Sequence, residues 1–191
     1  MSSLTINKLN SIVENCLGQN LNDYDTFVET GTLLGDTVIN LHSCFNNLHT
    51  IELSEKYFNI SKNRIDAESI KNINSHFGDS SLVVPNLLKN IDLGNTIFFL
   101  DGHWSSGDTA QGNKDCPLVE ECLAIDKFYK GSNLIILIDD YRLFETKLNE
   151  DWSAISLEAI RSCFNKYRIE VESVYDDVLG FYLTGNNGTI K

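Results

Sequence analysis

The sequence predicts an α/β protein built on an open, doubly wound, mostly parallel sheet with an antiparallel pair at one edge. Three observations predict it. Between residues 25 and 167, five strand-like segments each lead into a helical segment, an alternation that builds parallel sheets with helices on both faces. Two of those strands, Thr96–Leu100 (TIFFL) and Leu134–Ile138 (LIILI), are unbroken apolar runs, as expected of central strands covered on both sides. The chain then runs through RIEVESVY, the turn-prone Asp176-Asp177 pair and VLGFYLT, which reads as a hairpin by its alternation and short connection.

Each element has its own local reason. Residues 5–20 predict an amphipathic helix, with Leu9, Ile12, Val13 and Cys16 at helical spacing, within an N-terminal extension over 1–22. Asp25–Thr30 is the first strand and Asp36–Phe45 a helix. His49–Leu53 is the second strand; Ser54 is placed to cap a helix that runs to about Ile65. Asn72–Phe77 is the third strand. Pro85 is expected in the first turn of a short helix, where its missing N–H costs nothing. Pro117 opens a helix that Gly131 closes, and a further helix spans about 156–167. No linker or shift of composition divides the chain, so 1–191 reads as one domain. The loop 102–116, GHWSSGDTAQGNKDC, is long, polar and glycine-rich, and loops of that length are often functional.

Composition removes some functions. The formal net charge of −12 argues against a nucleic-acid backbone as partner, since such binding is driven by Lys and Arg neutralising phosphates. The segment MSSLTINKLNSIVENC lacks a basic region followed by an apolar core, so no secretory leader is expected. No run approaches the ~18 apolar residues of a membrane span. The five cysteines, Cys16, Cys44, Cys116, Cys122 and Cys163, are scattered without a CxxC pair, which reads as reduced thiols in a cytoplasmic protein.

Chemistry enters at FVETGTLLGDT (27–37), where a strand meets a glycine turn and opens a helix. In an open α/β sheet, ligands bind beyond the carboxyl ends of the strands. Gly31 lets the backbone turn and approach a ligand closely, and Gly35 lets the following helix pack against the strand. The dinucleotide pattern G-x-G-x-x-G is missing, so a phosphate-free ligand fits better. Glu52 ends the second strand 21 positions after Gly31, placed to accept from both hydroxyls of a ribose. Glu29 would face the positive part of the ligand, with Thr30 beside it. Asp79, followed by Ser80 in FGDSS, could accept from an adenine amine. Each signal alone is weak; their order along successive strand ends describes a cationic adenosine ligand. S-adenosylmethionine (SAM) fits that description better than NAD or ATP.

On ETGTLLG, the acid of TIELSE, FGDSS, FFLDGH and the terminal hairpin, nearly the whole chain resembles the class I SAM-dependent methyltransferases. The resemblance implies a Rossmann-like sheet of seven strands. It also implies that ETGTLLG binds the methionine end of SAM, Glu52 the ribose and Asp79 the adenine region.

Two further strand ends carry acids: Asp101 in TIFFLDGH, and Asp139 and Asp140 in LIILIDDY. Three converging carboxylates repel unless a cation offsets them, and oxygen ligands suit Mg²⁺, Mn²⁺ or Ca²⁺. Adjacent strand residues point to opposite faces, so Asp139 and Asp140 can share an ion only where the strand has begun to turn; one could instead pair with Arg142. The motif LDG…IDDY is similar to that of the metal-dependent sugar O-methyltransferases of the macrocin O-methyltransferase type, which implies Mg²⁺ at Asp101, Asp139 and Asp140 and a sugar, glycan precursor or polyol as acceptor. His103 stands where those enzymes have a further acid, and this chain is shorter. Asp101 and His103 are the candidate bases, and Trp104 either stacks on a sugar face or anchors its loop. His42, His49 and His76 are expected to be structural, without convergent partners. Competing readings keep SAM with His103 as sole base and no metal, make the chain a catalytically silent scaffold, or make it a carboxylate-metal hydrolase. The N-terminal helix and the hairpin edge are surfaces on which a homodimer could form.

Overall fold

The computed structural model describes residues 3–104, 110, 112, 114–148 and 150–185; the part of the 102–116 loop at 105–109, 111 and 113 lies outside them. Its strands are β1 (Thr26–Thr30), β2 (Asn47–Glu52), β3 (Ile73–Phe77), β4 (Thr96–Leu100), β5 (Asn133–Ile138), β6 (Tyr167–Tyr175) and β7 (Val178–Gly185). They form one sheet in the order β3-β2-β1-β4-β5-β7-β6. The first five strands pair in parallel, while β7 lies antiparallel between β5 and β6. This is the expected seven-stranded, doubly wound, Rossmann-like sheet with its antiparallel pair at one edge. The strand order reverses between β1 and β4, so the carboxyl ends of these strands frame the crevice where ligands bind in such sheets.

The helices are α1 (Ile6–Asn10), α2 (Asp36–Leu41), α3 (Glu55–Ala67), α4 (Ser80–Asn90), α5 (Leu118–Phe128) and α6 (Leu157–Ser162). Alternate strand residues feed two cores. Val28, Ile51, Phe98, Leu100, Ile136 and Ile138 pack with α4, α5 and α6. Phe27, Leu48, Ile97, Phe99, Ile135 and Leu137 pack with the N-terminal segment, α2 and Ile65 of α3. β4 is buried along its whole length and β5 from Leu134 onward, which accounts for their unbroken apolar runs. Among the described residues no helix is long and apolar enough to cross a membrane.

Several local expectations are corrected. The segment 5–20 is not one helix: after α1 the backbone widens into a π-helical turn over Ser11–Cys16, with Leu17 N–H bonding the Ile12 carbonyl at 2.9 Å. That extra residue per turn lets Leu9, Ile12, Val13 and Leu17 all reach the core. Pro85 lies inside α4 and not in its first turn, because Asp79 caps the helix through its carboxylate. The helix expected over about 156–167 shrinks to α6, as β6 already begins at Tyr167. His49 and His76 do have a partner in each other: their rings stack, with Nδ1 of His49 3.0 Å from Nε2 of His76.

Candidate active site

The turn after β1 is held in a conformation that its sequence anticipates. Gly31 and Gly35 adopt φ of +84° and +80°, and Leu33 is also left-handed at +48°. A Cβ on Gly31 would lie 2.3 Å from the Asp101 carbonyl oxygen, so only glycine lets the turn and the end of β4 approach this closely. Gly35 opens α2, and its close neighbour is Ser61 of α3. Glu52 braces the turn: Oε2 accepts from Leu33 N–H at 2.7 Å and Oε1 from Ser54 N–H at 2.7 Å. Burial raises its carboxyl above the ordinary value, opposed by these backbone donors.

A pocket opens over this turn. Gly31, Glu52, Asp79, Ser80, Asp101, His103 and Trp104 are among the residues that line it. Asp79 accepts from Ser81 N–H at 2.9 Å and Ser81 Oγ–H at 2.6 Å. Thr30 and Gly35 support the turn from behind and are not part of the lining. Glu29 is also outside the lining, buried on the opposite face of β1, where Oε2 accepts from Thr50 Oγ1–H at 2.7 Å. Burial pushes its carboxyl up to about 8, against hydrogen bonds from Thr50 and Thr37.

Beside the pocket, Asp101, His103 and Asp140 come together, each offering a ligand atom within 4.8 Å of the others. His103 Nε2 lies 3.1 Å from Asp140 Oδ2 and 3.7 Å from Glu150 Oε2, while Nδ1 lies 3.5 Å from Asp101 Oδ1. The Trp152 ring meets His103 edge-on, with centroids 4.9 Å apart, and its Nε1–H donates to Glu150 at 3.0 Å. Oδ1 of Asp101 is shielded from solvent and has no hydrogen-bond partner. Burial, then the charges of Asp139 and Asp140, raise Asp101 well above the usual carboxylate range.

Asp139 is also raised, by burial first and Asp140 second, but it is not in the group of three. Asp140 is lowered, chiefly by the hydrogen bond from His103. It sits just past β5 with φ of +57°, so the chain has begun to turn where the two aspartates diverge. Asp140 also pairs with Arg142, which in turn pairs with Asp177 at the β6–β7 turn. Two carboxylates, one of them with an unpartnered buried oxygen, and an imidazole form a donor set that fits a divalent cation.

Some of the surroundings escape a sequence reading. Glu121 is fully buried, pushed up to about 7 by burial, with hydrogen bonds from Ser80 and Thr30 and an unpartnered Oε1. The signal was present: Leu118, Glu121, Cys122 and Ile125 share one helical face, so Glu121 is an acid on an apolar stripe. Trp152 and Glu150 carry no local signal, because only the fold brings them to His103.

No protein-family model matches the chain, and no curated protein matches it by sequence. Solved structures do resemble it. An S-adenosylmethionine-dependent methyltransferase from Clostridium acetobutylicum aligns over 92% of this chain and 89% of its own, with 14% identity and a TM-score of 0.57. The O-methyltransferase TomG from Streptomyces achromogenes, solved with SAM and involved in tomaymycin synthesis, aligns over 86% and 74%, with 16% identity and a TM-score of 0.56. An rRNA methylase from Streptococcus thermophilus aligns over 97% and 98%, with 14% identity and a TM-score of 0.54. At these identities the likeness establishes a shared fold, that of SAM-dependent methyltransferases.

Proposed function

We propose that the chain is a SAM-dependent O-methyltransferase that methylates a hydroxyl of a sugar, glycan precursor or similar polyol with the help of a divalent cation. One observation carries the reading: a glycine turn braced by Glu52 and an acid–histidine cluster built on Asp101 and His103 flank a single pocket. The first side suits SAM, with Glu52 at the ribose and Asp79 toward the adenine. The second lies where an acceptor hydroxyl would approach the methyl group.

The acceptor oxygen attacks the methyl carbon in line with the departing sulfur. A C–O bond forms, the C–S bond breaks and S-adenosylhomocysteine leaves. The hydroxyl proton passes to a base of the cluster, for which Asp101 and His103 are the candidates. Asp101, Asp139 and Asp140 are the carboxylates available to hold Mg²⁺ or Mn²⁺; such an ion, when bound, lowers the hydroxyl pKa and orients the acceptor. A metal-free variant of this reading draws on the hydrogen bond between His103 and Asp140, the arrangement of an oriented histidine base.

The test is calorimetric titration of S-adenosylhomocysteine into the protein, with Mg²⁺, with Mn²⁺ and with a chelator, followed by a screen of sugar and nucleotide-sugar acceptors. Binding with metal-dependent turnover supports the full reading, and chelator-resistant turnover the metal-free one. A folded sample that binds no S-adenosylhomocysteine under any condition overturns both and leaves a scaffold role.

A further inference from the structure

We infer that the acidic cluster is a site for a first-row transition-metal ion bound through an imidazole nitrogen, with Asp101 and His103 as ligands and Asp140 as the outer carboxylate that fixes the ring. This deepens the proposed function and rests on that reading for what the ion does; its binding is measured independently of the cofactor.

The two faces of the His103 ring differ. On one side Nε2 is hydrogen-bonded to Asp140, which is further engaged by Arg142. On the other side Nδ1 faces Asp101 Oδ1 at 3.5 Å, and that oxygen is buried without a hydrogen-bond partner. Two ligand atoms that share one ion through bonds of about 2.1 Å, meeting at roughly 90–115°, lie about 3.0–3.5 Å apart. The Nδ1–Oδ1 pair falls at the wide end of that range. Metal-binding histidines almost always give their other ring N–H to a carboxylate, which leaves the ligating nitrogen its lone pair. Asp140 stands in that position.

The ring is also held. The His103 side chain is only 3% exposed and packs edge-on against Trp152, so it cannot easily swing out to solvent. A nitrogen in the set changes the ion. Mg²⁺ is hard, prefers oxygen and keeps its waters, whereas imidazole suits Mn²⁺ less than Co²⁺, Ni²⁺ or Zn²⁺ but all of them better than Mg²⁺. The same geometry assigns His103 to binding and leaves proton transfer to the carboxylates.

The experiment titrates Co²⁺ into the full chain and follows its visible absorption, alongside calorimetry with Mn²⁺ and Mg²⁺ and a chelator control. One Co²⁺ per chain is expected, with Mg²⁺ weaker by about tenfold or more. Asp101→Asn and His103→Gln should each abolish the Co²⁺ spectrum, while Asp140→Asn weakens binding by about 10–100-fold, the usual cost of losing an outer-shell partner. Far-UV circular dichroism identifies any variant that fails to fold, and the Asp140→Asn series still decides the matter if His103→Gln does. The proposal is overturned if the folded wild type binds no transition metal, if Mg²⁺ binds as tightly as Co²⁺, or if His103→Gln keeps wild-type affinity. S-adenosylhomocysteine binding in the same preparation reports on the methyltransferase reading separately, since it can persist when the ion fails to bind.

Discussion

Gly31 is the residue on which the pocket depends most directly. A side chain there meets backbone, the Asp101 carbonyl, and backbone cannot swing aside as the end of a side chain can. The left-handed φ adds about 1–2 kcal/mol for any other L-residue. Gly31→Ala should therefore lower unfolding free energy by about 2–4 kcal/mol and remove S-adenosylhomocysteine binding, as read by denaturant titration and calorimetry. Glu29 allows a different prediction. Burial pushes it from 4.5 up to about 8, so over that interval the folded chain holds a proton that the unfolded chain has released. The stability this gives is fully present below about pH 4.5 and is lost as pH rises through 8. Glu29→Gln keeps an oxygen for the Thr50 hydroxyl but has no proton to lose. The variant's urea midpoint should fall less between pH 5 and pH 8 than the wild type's; parallel curves for the two proteins would refute the burial argument.

The strands were more legible than the helices, and for a physical reason. β4 and β5 announce themselves because double coverage demands continuous apolar residues. Helix bounds depend on capping choices that compete with function. Asp79 was read as an adenine contact, yet it also caps α4, and that shifted the expected position of Pro85. The strand-end acids and the glycine turn were visible because neighbouring residues encode them. The His103–Trp152–Glu150 contacts were not, because they join a loop after β4 to a segment nearly fifty residues later. The β2–β3 pair supplies a test at this scale. Burial, aided by the His76 charge, pushes His49 from 6.5 down to about 4. The unfolded chain then binds the proton first, so this stability is present above pH 6.5 and is lost as pH falls toward 4. His49→Gln should reduce the drop in melting temperature between pH 7 and pH 5, measured by circular dichroism.

Over the whole molecule, the N-terminal segment belongs to the domain. Leu4, Leu9, Ile12, Val13 and Leu17 are each no more than 1% exposed. At about 2 kcal/mol per buried side chain they contribute roughly 10 kcal/mol, comparable to the whole stability of a typical domain. Removing residues 3–17 should give a chain without a cooperative melting transition, whereas a well-folded truncation would show the segment to be dispensable. Lys8 ties this segment to Asp176 at 3.1 Å, and the neighbouring Asp177 holds Arg142 against Asp140.

That clasp bears on the order in which the protein is made. β7 enters the sheet between β5 and β6, so a growing chain leaves the ribosome with its glycine turn and Asp101 already synthesised while the residue that secures Arg142 is still to come. Until the hairpin has threaded into place, the turn at Asp140 lacks the hold that Asp177 supplies through Arg142. An arrested nascent chain ending before β6 should be able to lay down the parallel strands yet remain unable to set the acid–histidine cluster, which makes assembly of the site a late event in biosynthesis.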